Sequence, residues 1–336
     1  MRILIVGIGA LGGTIATRAA AAGIPIWLAT RTAESARALR ASGLRVSGVG
    51  GAAAAPAVPV AALEEYRGTA SFDLILLSTK AHEALEISPL ASSLLTPTGT
   101  LLPIQNGGVA QMLSDRLGGN VVLGGLSNLG ATMVEPGVYE QRNAGHLLVG
   151  ELAGGLSERA TSVARALTGA IETRVTANLP GAIWAKLLLN CSVTTIGAIA
   201  GRTMRQYMQS VAGREVFRRS YDEALSVALA SGTRPERMIV EPIPPGWQGR
   251  SVPGPAYDRF IDQILASYGD LKPSMLQDFE RGRRTEVDFI NGYVAQLGRQ
   301  IGTEVTMNAS ITDLVHRIEQ GQSQPDPARL DDLLRA

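Results

Sequence analysis

ILIVGIGALGG, residues Ile3 to Gly13, decides how the first half of this chain is read. Ile3 to Val6 form a β-branched, leucine-containing run that suits a buried strand, and the run stops at a glycine. Gly7, Gly9 and Gly12 then spell G-x-G-x-x-G where the pattern turns from strand to helix. Each glycine answers a separate demand of a dinucleotide-binding turn. Gly7 permits the tight turn, Gly9 lets backbone approach a pyrophosphate, and Gly12 lets the helix pack close to the strand. The helix start adds unpaired N–H groups and the positive end of its dipole. Glycines also mark ordinary turns, so the motif is weak alone. Its place at the head of a strand–helix–strand unit makes Gly7, Ile8, Gly9, Ala10, Leu11 and Gly12 a candidate dinucleotide site.

Outward from this turn the alternation continues. ALGGTIATRAAAAG reads as a helix and IPIWLAT as a second strand. DLILLS, GTLLPIQ and VVLGGLSNLG read as later strands, with helical connections around 81–95 and 109–117. Nearly continuous apolar strands alternating with helices imply a parallel sheet covered on both faces. MVEPGVYEQRNAGHLLVGE reads as an antiparallel pair around a Pro-Gly turn. From about Leu179 long helical patterns take over. The expected fold class is α/β, an N-terminal Rossmann-type doubly wound sheet followed by a C-terminal all-helical domain. At 336 residues two domains are expected: a Rossmann-type dinucleotide-binding domain over 1–178 and a helical domain over 179–336. VEPIPPGWQGRSVPGP, residues 240–255, is too rich in Pro and Gly for helix and reads as a long loop: a lid, an oligomer contact or an insertion.

Composition narrows the function classes. With 31 basic and 30 acidic residues the formal charge is +1, and no long run of one sign marks a nucleic-acid or anionic-membrane surface. One cysteine, Cys191, excludes an intrachain disulfide, and with three scattered histidines no metal site is expected. The longest apolar stretches are broken by Gly, Asn or Lys, so none is read as a membrane span. MRILIVG opens directly on a strand-like run with no signal-peptide pattern, and a cytoplasmic setting is expected.

The end of the second strand bears on which dinucleotide binds. An NAD site usually places an acid there, on the ribose 2′-hydroxyl. This chain has ATRTAES, with Thr30 and Arg31 and no acid at the strand end. A guanidinium suits a 2′-phosphate, so the placement favours NADPH over a merely solvated arginine. Lys80 follows DLILLS at the end of another strand, where such sheets bind ligands, although an ordinary lysine at a helix start fits equally well. Asn106 in PIQNGG follows a further strand; its amide suits the nicotinamide ribose, or a plain turn with Gly107.

GAIWAKLLLNCSVTTIGAIAG, residues 181–201, holds a single charged residue, Lys186. An apolar helix of this kind belongs in a core, where a lone ammonium is costly. Lys186, Asn190 and Thr194 are spaced i, i+4, i+8 and form one polar stripe; the bland alternative is a lysine that snorkels to solvent. Further on, Ser274 is positioned to cap a short helix. Thr285 and Asp288 have the spacing of a capping box, with Glu286 in the first turn, and capping leaves Asn291 unexplained.

ILIVGIGALGG, LLSTKAHE, PIQNGG, WAKLLLNC and PSMLQDFERGRRTEVDFINGYVAQLGRQIG together resemble the ketopantoate reductase family in order and rough spacing, over nearly the whole chain. That resemblance implies NADPH-dependent reduction of a 2-oxo acid to a D-2-hydroxy acid, ketopantoate to pantoate in pantothenate biosynthesis, and it is compatible with a homodimer. By motif, Lys186 would be the catalytic lysine, with Asn190 assisting. Asn106, Asn190, Thr194 and Ser274 would face substrate. Gly7–Gly12, Arg31, Lys80, Asn106 and Glu286 would serve the cofactor. Departures fall on the substrate side: Thr194 stands where the family commonly has a second Asn, and Glu83 where it often has Gln. Two alternatives follow, a relative reducing another branched or aromatic 2-oxo acid, and a non-catalytic dinucleotide sensor. The second would have no need of Lys186, Asn190, Ser274 and Glu286 together.

Overall fold

The computed structural model of the chain describes residues 1–68 and 71–335. Contacts divide it into two units: Met1–Gln105 with Val109–Leu179, and Asn106–Gly108 with the chain from Pro180 onward.

The first unit opens with β1 (Ile3–Val6), α1 (Ala10–Ala21), β2 (Ile26–Thr30), α2 (Ala33–Ser42), β3 (Leu44–Gly48), β4 (Ala53–Ala55) and β5 (Val60–Ala62). It continues through β6 (Phe72–Leu77), α3 (Ala81–Ser93), β7 (Leu95–Pro103), α4 (Val109–Leu117) and β8 (Gly124–Ser127). It ends with β9 (Ala131–Glu135), β10 (Val138–Gln141), β11 (Leu147–Gly150), α5 (Glu158–Thr168) and β12 (Thr173–Val175). All four residues of β1 are buried, as a strand sandwiched between helical layers must be. The main sheet has the order β5-β2-β1-β6-β7, and every pair in it is parallel. The chain runs outward from β1 through β2 to β5, then returns to β6 and β7 on the other side. The order therefore reverses between β1 and β6, and ligands of such sheets bind where the strand ends meet at that switch point.

VVLGGLSNLG does not extend this sheet. Val122 makes one isolated parallel bridge to Leu101, and the chain then leaves. β8 pairs antiparallel with β11, which pairs parallel with β12, in a separate three-stranded sheet. Close packing at Gly125, where a Cβ would lie 2.6 Å from the Pro103 carbonyl oxygen, accompanies that departure. The Pro-Gly hairpin is β9–β10, and β10 adds parallel to β3 in a four-stranded sheet of order β4-β3-β10-β9.

The second unit is helical: α6 (Leu179–Leu189), α7 (Thr195–Ala200), α8 (Met204–Tyr207), α9 (Val211–Ala230), α10 (Pro255–Tyr268), α11 (Ser274–Glu280), α12 (Asn291–Ile301), α13 (Thr306–Glu319) and α14 (Arg329–Arg335). Between α6 and α7 the helix continues as a five-residue π turn, Asn190–Thr194. The segment Leu179–Ala200 is long and apolar enough to cross a membrane, which its broken apolar pattern did not suggest. It is instead the centre of this unit: Leu188, Cys191, Ile196 and Ile199 are wholly buried beside Phe217 and Leu225 of α9 and Ile311 of α13. The Pro/Gly-rich loop is irregular over 231–254 and is tied to α9. The Tyr221 hydroxyl donates to the Pro242 carbonyl at 2.8 Å, and the Asp222 carboxylate accepts from both the N–H and the hydroxyl of Ser251.

Candidate active site

Three glycines of the first turn have three different surroundings. Gly7 has φ +92°, and a Cβ there would lie 2.6 Å from the Thr79 amide nitrogen. At Gly12 a Cβ would sit 2.1 Å from the Gly7 oxygen and 2.3 Å from Ser78 Oγ, so only hydrogen allows α1 this close to the β1 and β6 ends. Gly9 precedes α1 with ordinary negative φ and no side-chain cap, and, its own chain neighbours aside, no atom of the described residues comes within 4 Å of the place a Cβ would take. The fold does not require glycine there. Open space in front of uncapped helix N–H groups is the cradle a pyrophosphate needs, so the residues fit a dinucleotide. Gly13 carries a constraint that the motif does not include. The Tyr139 ring lies where its Cβ would be, at 2.0 Å, and the Tyr139 hydroxyl donates to the Ile8 carbonyl at 3.2 Å.

Around the switch point, Ser78 donates to the Gly7 carbonyl at 2.8 Å and braces the turn. Lys80 is part-buried at the cap of α3. Gln105, quoted in PIQNGG but given no role from sequence, donates to the carbonyls of Leu77 (3.2 Å) and Thr79 (3.0 Å). Its own Oε1 is buried with no hydrogen-bond partner among the described residues, which leaves an acceptor at the strand ends. Arg31 is exposed just beyond β2, and its guanidinium meets Glu83 of α3 at 3.2 Å. No acid stands at the β2 end in the sequence; folding brings one there from another element. An exposed pair of this kind is worth about 0–1 kcal/mol, too little to sequester Arg31, yet it puts negative charge beside the guanidinium.

In the helical unit the polar stripe is real. From Gly181 to Ala200 the part-exposed residues are Ile183, Lys186, Asn190 and Thr194, and the rest are buried. An α-helix turns about 100° per residue, so two steps of four would carry Thr194 about 80° away from Lys186. The π turn corrects this drift. Its hydrogen bond spans five residues, from Thr195 N–H to the Asn190 carbonyl, so each residue rotates the helix less and Thr194 stays in line. Burial pushes the Lys186 ammonium down from its ordinary 10.5 to about 8, and the Glu286 carboxylate opposes that fall.

Glu286 reaches this position by a route other than the expected capping box. Thr285 is buried; its hydroxyl accepts from Val287 N–H, and its own N–H donates to Glu319 at 2.6 Å. Asp288 cannot close the box, because its carboxylate is held by Arg284 at 3.0 Å and His316 at 2.8 Å. Val287–Phe289 is a short 3₁₀ turn, and α12 starts only at Asn291, after Ile290 leaves helical geometry. Ser274 is likewise not a cap: Pro273 holds that position, and Ser274 is the exposed first residue of α11. Asn106 belongs to the helical unit. Gly107 (φ +75°) would put a Cβ 1.8 Å from the Phe289 oxygen, and Gly108 donates to that oxygen at 3.0 Å. Tyr293 covers Gly108 and meets Trp184 of α6 with ring centroids 6.1 Å apart. The Asn106 loop, the Glu286 turn and the Lys186 helix are thereby locked into one body.

A doubly wound parallel sheet with an open glycine cradle, and a helical unit presenting a lysine–glutamate pair, define a two-unit dinucleotide-binding enzyme architecture. The sequence matches the family Ketopantoate reductase PanE/ApbA over residues 3–154 and Ketopantoate reductase PanE/ApbA C terminal over 178–319. The chain belongs to the ketopantoate reductase family, oxidoreductases acting on a CH–OH group. A 2-dehydropantoate 2-reductase of Halobacterium salinarum is 28% identical over 317 residues, covering 94% of this chain and 98% of that one. A PanE/ApbA family ketopantoate reductase from Ralstonia eutropha superposes with TM-score 0.80 at 24% identity, over 96% of this chain and 99% of the other. The ternary structure of D-mandelate dehydrogenase with NADH and anilino(oxo)acetate gives the same TM-score, 0.80, at 21% identity, over 96% and 99% of the two chains. At such identities the two structures speak to fold alone.

Proposed function

We propose that this protein uses NADPH to reduce a 2-oxo acid to the D-2-hydroxy acid, with 2-dehydropantoate as the substrate. The observation that carries the reading is Lys186: a single ammonium on an otherwise apolar core helix, brought to about pKa 8 and paired electrostatically with Glu286. Such a group is protonated at neutral pH and close to the pKa at which a general acid works best. NADPH, when bound at the glycine turn, supplies the hydride. Lys186 Nζ hydrogen-bonds the substrate carbonyl oxygen, stabilises the negative charge that develops there, and gives up its proton to form the hydroxyl. Glu286 keeps the ammonium charged between turnovers, and solvent restores its proton. Asn190, one turn along the stripe, orients Lys186 and donates to the substrate. Ser274 and Asn106 offer neutral donors for the carboxylate and the nicotinamide ribose.

A panel of 2-oxo acids assayed with NADPH and NADH tests this reading. The highest kcat/KM is expected for 2-dehydropantoate. A strong preference for another branched or aromatic acid would establish the second reading, which Thr194 favours because it replaces an amide common in the family with a hydroxyl that donates to the Asn190 carbonyl. Dinucleotide binding without turnover of any 2-oxo acid would overturn both and leave a sensor.

Cofactor choice rests on Arg31 and Glu83. Arg31→Ala is expected to lower the ratio of NADPH to NADH kcat/KM by about 10- to 100-fold, a charge-assisted contact being worth about 1.5–3 kcal/mol. Glu83→Gln is expected to raise it a few-fold by removing the acid beside the guanidinium. An unchanged ratio in both variants would mean that another group reads the 2′-position.

A further inference from the structure

The π turn Asn190–Thr194 interrupts the i→i+4 ladder of the central helix, and its carbonyls are satisfied from outside that ladder. The Asn190 oxygen accepts from the hydroxyls of Thr194 (3.0 Å) and Thr195 (3.1 Å). The Cys191 oxygen accepts from Asn291 Nδ2 at 3.2 Å and lies 3.3 Å from Ser220 Oγ. The Ser192 oxygen accepts from the Tyr207 hydroxyl at 2.7 Å. Of these donors, Asn291 and Ser220 belong to a buried polar cluster that joins four helices. Asn291 Nδ2 also donates to Asn308 Oδ1 at 2.9 Å, Ser220 Oγ lies 3.2 Å from the same oxygen, and Asn308 Nδ2 donates to the Ser220 carbonyl at 3.1 Å and to Glu223 at 2.8 Å. Glu223 in turn accepts the N–H groups of Met307 and Asn308 at the start of α13. Asn291, Asn308 and Ser220 have no exposed surface at all.

Polar side chains this deep in an apolar core cost free energy, here only partly offset because Asn291 Oδ1 is buried with no hydrogen-bond partner among the described residues, and an uninterrupted α-helix would need none of them at Cys191. Their effect falls on one backbone carbonyl, one residue beyond Asn190. We propose that Asn291, supported by Ser220 and Asn308, is a positioning residue for the reaction: its hydrogen bond to the Cys191 carbonyl holds the π turn open and so keeps Asn190 and Thr194 in line with Lys186. This rests on the roles given above to Lys186 and Asn190. It also accounts for Asn291, a buried amide that helix capping leaves unexplained. π turns of this kind recur at functional sites because one inserted residue re-aims the side chains that follow.

The test uses the full-length protein and two variants. Asn291→Leu removes the amide at nearly constant volume, and Ser220→Ala deletes only a hydroxyl, so the second remains available if the first folds poorly. For Asn291→Leu, kcat is expected to fall about 10- to 100-fold, the scale of a misplacement near 1 Å. Ser220→Ala is expected to show a loss of a few-fold. In both, the NADPH Kd from fluorescence titration stays within about twofold, because the glycine turn is untouched. The isotope effect on kcat with NADPH dideuterated at C4 rises, which a smaller folded fraction would not produce. A crystal structure of Asn291→Leu is expected to show residues 190–194 closed towards i→i+4 bonding. Unchanged kcat and isotope effect in both variants, or an unchanged π turn in Asn291→Leu, would overturn the proposal while Lys186→Ala is inactive. Full activity of Lys186→Ala would instead overturn the reading of the site itself.

Discussion

Replacing Lys186 by alanine is expected to lower turnover by about 10²–10⁴-fold, the usual worth of a positioned general acid, while dinucleotide binding is retained. Lys186 lies on the helical unit and the glycine turn on the other, so the variant separates chemistry from cofactor binding. The pH dependence follows from the same group. Burial lowers its pKa from 10.5 to about 8, so the proton is lost earlier than from an ordinary lysine. With Lys186 as the proposed proton donor, reduction would need the ammonium: kcat/KM is expected to be flat below about pH 8 and to fall about tenfold per pH unit above it, and oxidation of the hydroxy acid to rise through the same range. Glu286→Gln removes the carboxylate that opposes the fall, so the limb should move to lower pH. A limb that stays in place in Glu286→Gln, measured by steady-state rates from pH 6 to 10, would remove Glu286 from this role.

Gly9→Val is expected to weaken dinucleotide binding by about 10²-fold, equivalent to the ~3 kcal/mol at the upper end of forced overpacking, and to leave the thermal midpoint within a few degrees. The reason is that Gly9 has ordinary backbone geometry and, its own chain neighbours aside, no atom of the described residues within 4 Å of its would-be Cβ, so the added side chain is directed into ligand space. Gly12→Val is the contrasting control, because its Cβ would meet backbone at 2.1 Å and the fold itself should fail. Isothermal titration with NADPH and a melting curve distinguish the two glycines. Tight binding by Gly9→Val would show that the cradle is not where the pyrophosphate lies.

Much of the architecture was readable in the chain because its determinants are local. The glycine spacing, the apolar strands and the stripe Lys186–Asn190–Thr194 all follow from short-range periodicity. What escaped the sequence depends on partners distant in the chain. The capping box at Thr285 failed because Glu319, 34 residues on, takes the N–H that Asp288 was expected to accept. The acid beside Arg31 is Glu83 of α3, 52 residues away: the chain shows an acid near the phosphate region in place of the family's Gln, and only folding pairs it with the guanidinium. VVLGGLSNLG has the composition of a buried parallel strand, but its pairing with β11 is a tertiary choice. The π turn is the subtlest case: a stripe drawn at fixed α-helical rotation comes out right only because the helix departs from that rotation at Asn190. Asn291, between Ile290 and Gly292, carries a signal in retrospect, whereas Ser220, near Arg219 and Asp222, has none in its sequence neighbours.

The three residues Asn106–Gly108 also limit how this protein can be taken apart. They belong to the helical unit although 71 residues of the other unit follow them in the chain, Val109 to Leu179. A fragment starting at Pro180 would lack the glycines over which Phe289 and Tyr293 close, and would expose the surface beneath them. Recombination between relatives meets the same restriction: a helical half exchanged at residue 180 would still have to accept the recipient's Asn-Gly-Gly. The constraint falls on the backbone carbonyl of Phe289 and the ring of Tyr293, which leave room only for glycine at 107 and 108, so a helical half is exchanged intact only together with that tripeptide.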